Sequence, residues 1–198
     1  MTEWKQKRRH LRYYNITANL YDTRYAEEQA LKIEAAIESL QRTRHGSILD
    51  LGCGTGLLLP RIHRAKEIVC VDISRHMLGR IETSTKRSAN LHVVVADADH
   101  TPFRHDYFDS VFAITLLQNM PNPSQTLEEM RRVTKPDATM VVTGLKKHLT
   151  QRSFLSLLKK AALKPQLVPT NERLKCHIAK CKKAKKHKSC KPDGHHRS

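Results

Sequence analysis

Three glycines and two acids are the residues of this chain whose types and spacing could do chemistry. Asp50 precedes Gly52, Gly54 and Gly56 in the run Ile48-Leu49-Asp50-Leu51-Gly52-Cys53-Gly54-Thr55-Gly56. Glycine lacks a Cβ, so its backbone takes positive φ freely and a ligand can approach the main chain closely. A helix beginning at Leu57 would add unpaired N–H groups and the positive end of its dipole. Asp72 lies 16 residues beyond Gly56, at the end of the apolar run Ile68–Val71. A carboxylate at such a strand end can accept both hydroxyls of a ribose and would repel a 2′-phosphate. The spacing is G-x-G-x-G, tighter than the G-x-G-x-x-G of a dinucleotide fold.

The elements that must position these residues alternate along the chain. Ser47–Leu51, Glu67–Val71, Leu91–Ala96, a segment within Tyr107–Thr115, and Thr139–Thr143 read as strands. Between them, Leu57–Arg64, Arg75–Thr85 capped by Ser74, and Ser124–Thr134 capped by Ser124 read as helices. Continuous apolar strands separated by helices mark an α/β fold, with a parallel sheet covered on both faces. Gln151–Ala162 is amphipathic, and Gln166–Val168 and Leu174–Cys181 supply the last two strands. Upstream, Thr17 to about Gln41 reads as a helix broken near Asp22, with Leu31, Ile33, Ala35, Ala36, Ile37 and Leu40 on a broad apolar stripe.

The stretch D-x-G-x-G-x-G resembles the first motif of the class I S-adenosylmethionine-dependent methyltransferases, and later segments continue the likeness in order. Val69-Cys70-Val71-Asp72-Ile73-Ser74 follows the glycine loop, then Val95-Ala96-Asp97-Ala98, then Thr101-Pro102-Phe103 and Phe108-Asp109-Ser110-Val111. Leu117-x-x-Met120-Pro121-Asn122-Pro123 and Leu127-x-Glu129-x-x-Arg132-Val133-x-Lys135-Pro136 look like the small branch that includes the ubiquinone/menaquinone-biosynthesis methyltransferases. The resemblance spans roughly Tyr21 to Thr143. It implies a Rossmann-like three-layer sandwich around a seven-stranded, mostly parallel sheet whose last strand is antiparallel.

It also implies S-adenosyl-L-methionine as cofactor, held by Asp50, Gly52, Cys53, Gly54, Gly56, Asp72, Ile73, Asp97, Ala98 and Leu116. The glycine loop would hold the methionine end. Asp97 would accept from the adenine 6-amino group, with the Ala98 N–H on a ring nitrogen. Asp99 is a second candidate acceptor; Asp97 is preferred as nearer the strand end. In related enzymes an N-terminal Tyr folds over the cofactor, which points to Tyr21, with Arg24 on the methionine carboxylate. Tyr21 and Tyr25 as core anchors of the helix are the plainer alternative. The end of strand four would face the transferred methyl, making Gln118 and Asn119 acceptor-side candidates. Methyl transfer is an in-line displacement that rests mainly on alignment. His100 and His105 are candidate bases, although loop histidines are commonly just solvated. The absence of a (D/N)-P-P-(Y/F) run disfavours adenine-N6 chemistry, and the absence of a Cys nucleophile motif disfavours pyrimidine-C5 chemistry.

The formal net charge is +17, concentrated at the ends. Residues 1–12 contribute +4, and residues 175–198 hold nine Lys/Arg against Asp193. Residues 1–16 therefore read as a basic arm, 17–181 as the catalytic domain with a helical cap over 17–45, and 182–198 as a disordered basic tail. Two basic ends fit a polyanion such as RNA as partner, through release of counterions; solvated charge is the bland alternative. A small activator protein is a further candidate partner.

The five cysteines are scattered, and no signal peptide or stretch of about 18 apolar residues appears, so the expected location is cytoplasmic with reduced thiols and no membrane span. The run Cys176-x4-Cys181-x8-Cys190-x4-His195 has no established zinc spacing, so no metal is expected. Competing functional classes are a small-molecule methyltransferase, a non-catalytic cofactor-binding scaffold or partner subunit, and a nicotinamide dehydrogenase.

Overall fold

Seven strands form one sheet in the order β3–β2–β1–β4–β5–β7–β6 in the computed structural model of the chain. The described residues are 2–38, 46–62, 65–81, 90–170 and 174–184, with the side chains of 21–24 and 26 outside the description. The strands are β1 (Ser47–Leu51), β2 (Glu67–Asp72), β3 (Leu91–Val95), β4 (Phe108–Ala113), β5 (Thr134–Leu145), β6 (Leu163–Val168) and β7 (Cys176–Lys183). The first five run parallel. Strand β7 lies antiparallel between β5 and β6.

The helices are α1 (Glu3–Glu38), α2 (Leu59–Ile62), α3 (Arg75–Gly79), α4 (Pro123–Val133) and α5 (Gln151–Lys160). One apolar layer joins the sheet to α4 and α5 through Leu127, Met130, Phe154 and Leu158. The other joins it to α1, α2 and α3 through Ile33, Ile37, Leu59, Ile62 and Leu78. The expected three-layer sandwich is therefore present. No described helix is long and apolar enough to cross a membrane.

Several boundaries differ from expectation, each for a local reason. Residues 3–16 are no arm: they are the first turns of the 36-residue α1, which also passes Asp22 unbroken. No Gly or Pro occurs from Met1 to His45, so nothing in the backbone stops the helix. Helix α4 starts one residue early because Pro123 takes the first helical position, and the N-cap is Asn122 rather than Ser124. Ser74 does cap α3, accepting from Met77 N. Strand β5 begins at Thr134, ahead of a register shift opposite Phe108/Ser110. Helix α2 is one turn within the described residues, so the loop before it works through its own amides and not through a long dipole. Residues 182 and 183 belong to β7, Ala184 N donates to Ala162 O at 2.9 Å, and 185–198 lie outside the described residues.

The strand order reverses between β1 and β4. A crevice opens at the carboxyl ends of the strands at such a point, and the glycine loop leaves β1 into it.

Candidate cofactor site

A cleft of about 730 Å³ opens there, lined by the glycine loop, the ends of β2 and β4, the loop after β3, and the first turns of α1. Gly52 and Gly54 have φ of 74° and 56°. A Cβ on Gly52 would stand 2.8 Å from Leu116 Cδ1, and one on Gly54 would stand 3.2 Å from Met77 Cε. The loop thus needs glycine for both conformation and space. Gly52 N and Cys53 N donate to Val71 O at 2.8 and 2.9 Å, stitching the loop to β2. Gly56 has φ 82° but packs under Leu59 and Ile81, away from the cleft wall. Its part is to turn the chain and admit α2, not to meet a ligand.

Asp72 closes the loop from the other side. Its Oδ2 accepts from Gly54 N at 3.0 Å and its Oδ1 from Ser74 N at 2.8 Å. Each oxygen keeps lone-pair capacity for a ligand hydroxyl. Burial raises its pKa, and the amides of Ser74, Gly54 and Ile73 oppose that rise. Ile73 and Met77 form the adjoining apolar wall.

Asp50 is 3% exposed, and its Oδ2 has no hydrogen-bond partner. Burial, then the neighbouring Asp72 charge, pushes its pKa up to about 7. It faces a smaller hollow with Gln29, Cys53 and Thr55, which shares Gly52, Gly54 and Ile114 with the main cleft. An orphaned buried carboxylate beside a ligand cleft suits a cationic group of that ligand. Burial, the Cys70 thiol and nearby carboxylates keep the Cys53 thiol protonated, so it is no nucleophile.

Asp97 and Ala98 line the cleft, whereas Asp99 does not. Asp99 is buried, accepting from Thr126 Oγ1 at 2.5 Å and from Lys7 Nζ at 2.5 Å. At the end of β4, Leu116 and Asn119 reach the cleft. Gln118 does not: its Nε2 donates to Thr115 O at 2.6 Å. Thr115 itself sits at φ 60°, a costly conformation for a β-branched residue. Thr143 Oγ1 accepts from its N–H at 2.7 Å, and its hydroxyl donates to Gln29 Oε1 at 3.0 Å. These bonds hold the strained turn that presents Asn119.

His100 and His105 are both exposed and stand on neither hollow; His100 Nε2 is 3.0 Å from Gln125 Nε2. The side chains of Tyr21 and Arg24 are outside the described residues. What roofs the cleft is Lys7, His10, Leu11 and Tyr14 of α1. Their i, i+3, i+4, i+7 spacing is one helical face and was readable as such; the density of charge around it obscured the pattern. Burial, then Arg9, lowers the His10 pKa, leaving a neutral imidazole near pH 7. Cys176 and Cys181 are buried on opposite faces of the sheet, so the two cannot share one metal ion. Cys190 and His195 lie outside the described residues.

The site fits S-adenosylmethionine. The glycine cradle would be filled by any Cβ, the Asp72 carboxylate keeps capacity for two hydroxyls, and Asp50 lacks a partner where an ammonium would supply one.

Residues 49–142 match the family model of the methyltransferase domain. An uncharacterised protein of Methanocaldococcus jannaschii is 33% identical over 131 residues, which is 66% of this chain and 49% of that protein. The demethylmenaquinone methyltransferase of Staphylococcus carnosus is 30% identical over 139 residues, 67% of this chain and 58% of that enzyme. The chain spans about half the length of the curated relatives it matches. Among solved structures, the DhpI–SAH complex superposes with a TM-score of 0.78 at 19% identity, covering 93% of this chain and 100% of that one. The complex of the Haloferax volcanii Trm112 methyltransferase activator with a methyltransferase gives 0.70 at 18% identity, covering 87% and 98%. At these identities the structural likeness is one of fold. Ordered motifs, sheet topology and relatives agree: residues 49–142 are a methyltransferase domain of the class I S-adenosylmethionine-dependent kind.

Proposed function

We propose that this chain transfers a methyl group from S-adenosylmethionine to an RNA acceptor. The observation that carries the choice of acceptor is the outer face of α1. Lys5, Arg8, Arg9 and Arg12 are exposed there, with no side-chain hydrogen bond or ion pair among the described residues, on the same turns that roof the cleft. Trp4 and Tyr13 lie exposed among them. Such a row attracts a phosphate backbone by counterion release, and exposed rings can stack on bases.

When bound, S-adenosylmethionine supplies an electrophilic methyl carbon on a sulfonium. The chain's own share is positioning. Asp72 holds the ribose, Asp97 the adenine and Asp50 the amino group, while Leu116 and Asn119 wall the reacting end. His10 is the neutral base on the same cleft and takes the proton that the acceptor gives up.

The test is transfer of labelled methyl to separated RNA, protein and small-molecule fractions of a matched extract, with Asp72→Ala as blank. Label in RNA, with RNA affinity that falls steeply with salt and less steeply in Arg8→Ala/Arg9→Ala/Arg12→Ala, supports the reading. Label in the small-molecule fraction alone sinks it. That outcome would favour a second reading, a quinone-precursor-like acceptor, which the demethylmenaquinone methyltransferase relatives and the apolar Leu11, Leu116 and Met120 support.

A protein activator is the partner we infer alongside. Strand β3 is an edge of the sheet and leaves Val93 and Val95 exposed, a surface open to strand addition. The likeness to the methyltransferase in complex with Trm112 supports the same idea. Co-purification of a stoichiometric partner, lost in Val93→Lys/Val95→Lys, checks it.

A further inference from the structure

We propose that Lys7 is a built-in competitor for the adenine end of the cofactor site, so that the adenine amino group must contend with its ammonium for Asp97. This rests on the cofactor reading above. Lys7 is 9% exposed and reaches from α1 across the cleft. Its Nζ lies 2.8 and 2.7 Å from the two oxygens of Asp97 and 2.5 Å from Asp99 Oδ2.

An ammonium has three donors and no acceptor, and these acids take all of them. Asp97 Oδ1 also accepts from Asp99 N at 3.0 Å. Oδ1 thus has both lone pairs taken before any ligand arrives, and Oδ2 has one of its two held by the ammonium. The adenine amino group needs one of those oxygens, and it is a neutral donor competing with a charged one.

Asp99 defines where Lys7 goes. It is buried, with Thr126 on its other oxygen, so the ammonium cannot abandon it without leaving a buried charge unpaired. The exchange is thus a swing from two carboxylates onto one. Lys7 shares its helical face with His10, Leu11 and Tyr14, so the swing is felt by the whole roof. Lys7 is accordingly a positioning residue, acting on the cofactor through Asp97.

The test is calorimetric titration of S-adenosylhomocysteine into the full chain and into Lys7→Met/Asp99→Asn. The double variant keeps the cluster at one net negative charge, which guards against a folding defect that Lys7→Met alone could bring. Circular dichroism checks that it is folded. The expected result is binding about three- to tenfold tighter in the double variant, the size of one net hydrogen bond. With S-inosylhomocysteine, which lacks the exocyclic amino group, the gain should vanish. A mere structural brace would give neither the gain nor its dependence on the amino group. Equal or weaker binding by the folded variant, with S-adenosylhomocysteine bound by the wild type, overturns the Lys7 proposal alone. Binding by the variant only supports it in its strongest form. Binding by neither overturns the cofactor reading and this proposal with it.

Discussion

The Asn119 side-chain amide donates to the Tyr14 hydroxyl at 2.9 Å, joining residues 105 positions apart. The bond fastens the α1 roof to the turn after β4, where the methyl acceptor is proposed to enter. Asn119 Nδ2 also donates to Thr115 O at 3.1 Å, so the strained turn and the roof share one side chain. Burial raises the Tyr14 pKa, and the Asn119 bond opposes the rise; the phenol stays protonated through the physiological range. Tyr14→Phe keeps the ring and removes only the hydroxyl. It should cost about 0.5–1.5 kcal/mol in urea unfolding. Amide exchange over residues 3–18 should quicken while that of β1 and β4 does not. Unchanged exchange in α1 would mean that the roof is held by its apolar face alone.

Asp72→Ala should act twice. It removes the acceptor for the ribose hydroxyls, and it also unties Gly54 N and Ser74 N. Cofactor affinity should fall by about 1.5–3 kcal/mol or more, because the lost bonds are to a charged acceptor. Asp72→Asn keeps one oxygen and should lose less. Titration of S-adenosylhomocysteine into both variants measures this, and equal affinity for wild type and Asp72→Ala would sink the ribose assignment.

The raised pKa of Asp50 makes cofactor binding depend on pH. The proposed partner of its Oδ2 is the cofactor's ammonium, which needs the carboxylate. With a free-state pKa of about 7, the competent form is the minority below that value, and affinity for S-adenosylhomocysteine should weaken as pH falls from 8 to 6. Binding below pH 7 should release a proton to buffer, visible as a buffer-dependent heat.

Stability of the ligand-free chain runs the other way. The folded state holds the Asp50 proton up to about pH 7 and the unfolded state only to about 3.8, so its contribution is full below 3.8 and is lost as pH rises through 7. Asp50→Asn should flatten both profiles. A pH-independent wild-type affinity would show that Asp50 does not meet the ammonium.

The glycine loop, Asp72 and the sheet were legible because each follows from local chemistry. An apolar run that ends in three glycines and an acid at the next strand end leave few other structures. The roof was less legible. Lys7 and Tyr14 bond to partners 90 and 105 residues away in sequence, and a basic, aromatic stretch looks the same whether it floats or docks. Gln118 and Asn119 show the same limit from the other side. Adjacent amides at a strand end look interchangeable; both donate to Thr115 O in the turn after β4, yet Asn119 alone of the two lines the cleft and reaches Tyr14.

The segment Leu127-x-Glu129-x-x-Arg132 served only as a mark of resemblance; its physical work emerges from contacts that no spacing reveals. Glu129 Oε1 accepts from Thr101 N at 2.7 Å and from Thr101 Oγ1 at 2.5 Å, and Arg132 binds the same carboxylate. Arg132 also donates to Phe103 O at 2.8 Å and Thr101 O at 3.2 Å. The pair therefore pins the loop that carries Asp97 and Asp99 onto α4.

Burial would raise the Glu129 pKa, but the bonds from Arg132 and Thr101 outweigh it and hold the carboxyl below its usual 4.5. A depressed acid stabilises the fold above the unfolded value and loses that contribution as pH falls through the folded one. Wild-type stability should thus drop below about pH 4.5, and Glu129→Gln, which keeps an acceptor for Thr101, should show a smaller drop. Glu129→Ala leaves the buried Thr101 N–H and the Arg132 guanidinium without their partner. It should cost about 2–4 kcal/mol in denaturant unfolding at pH 7. Cofactor affinity should fall with it, because Asp97 loses its footing. Loss of stability with full retention of affinity would confine the network to the fold and remove it from the cofactor site.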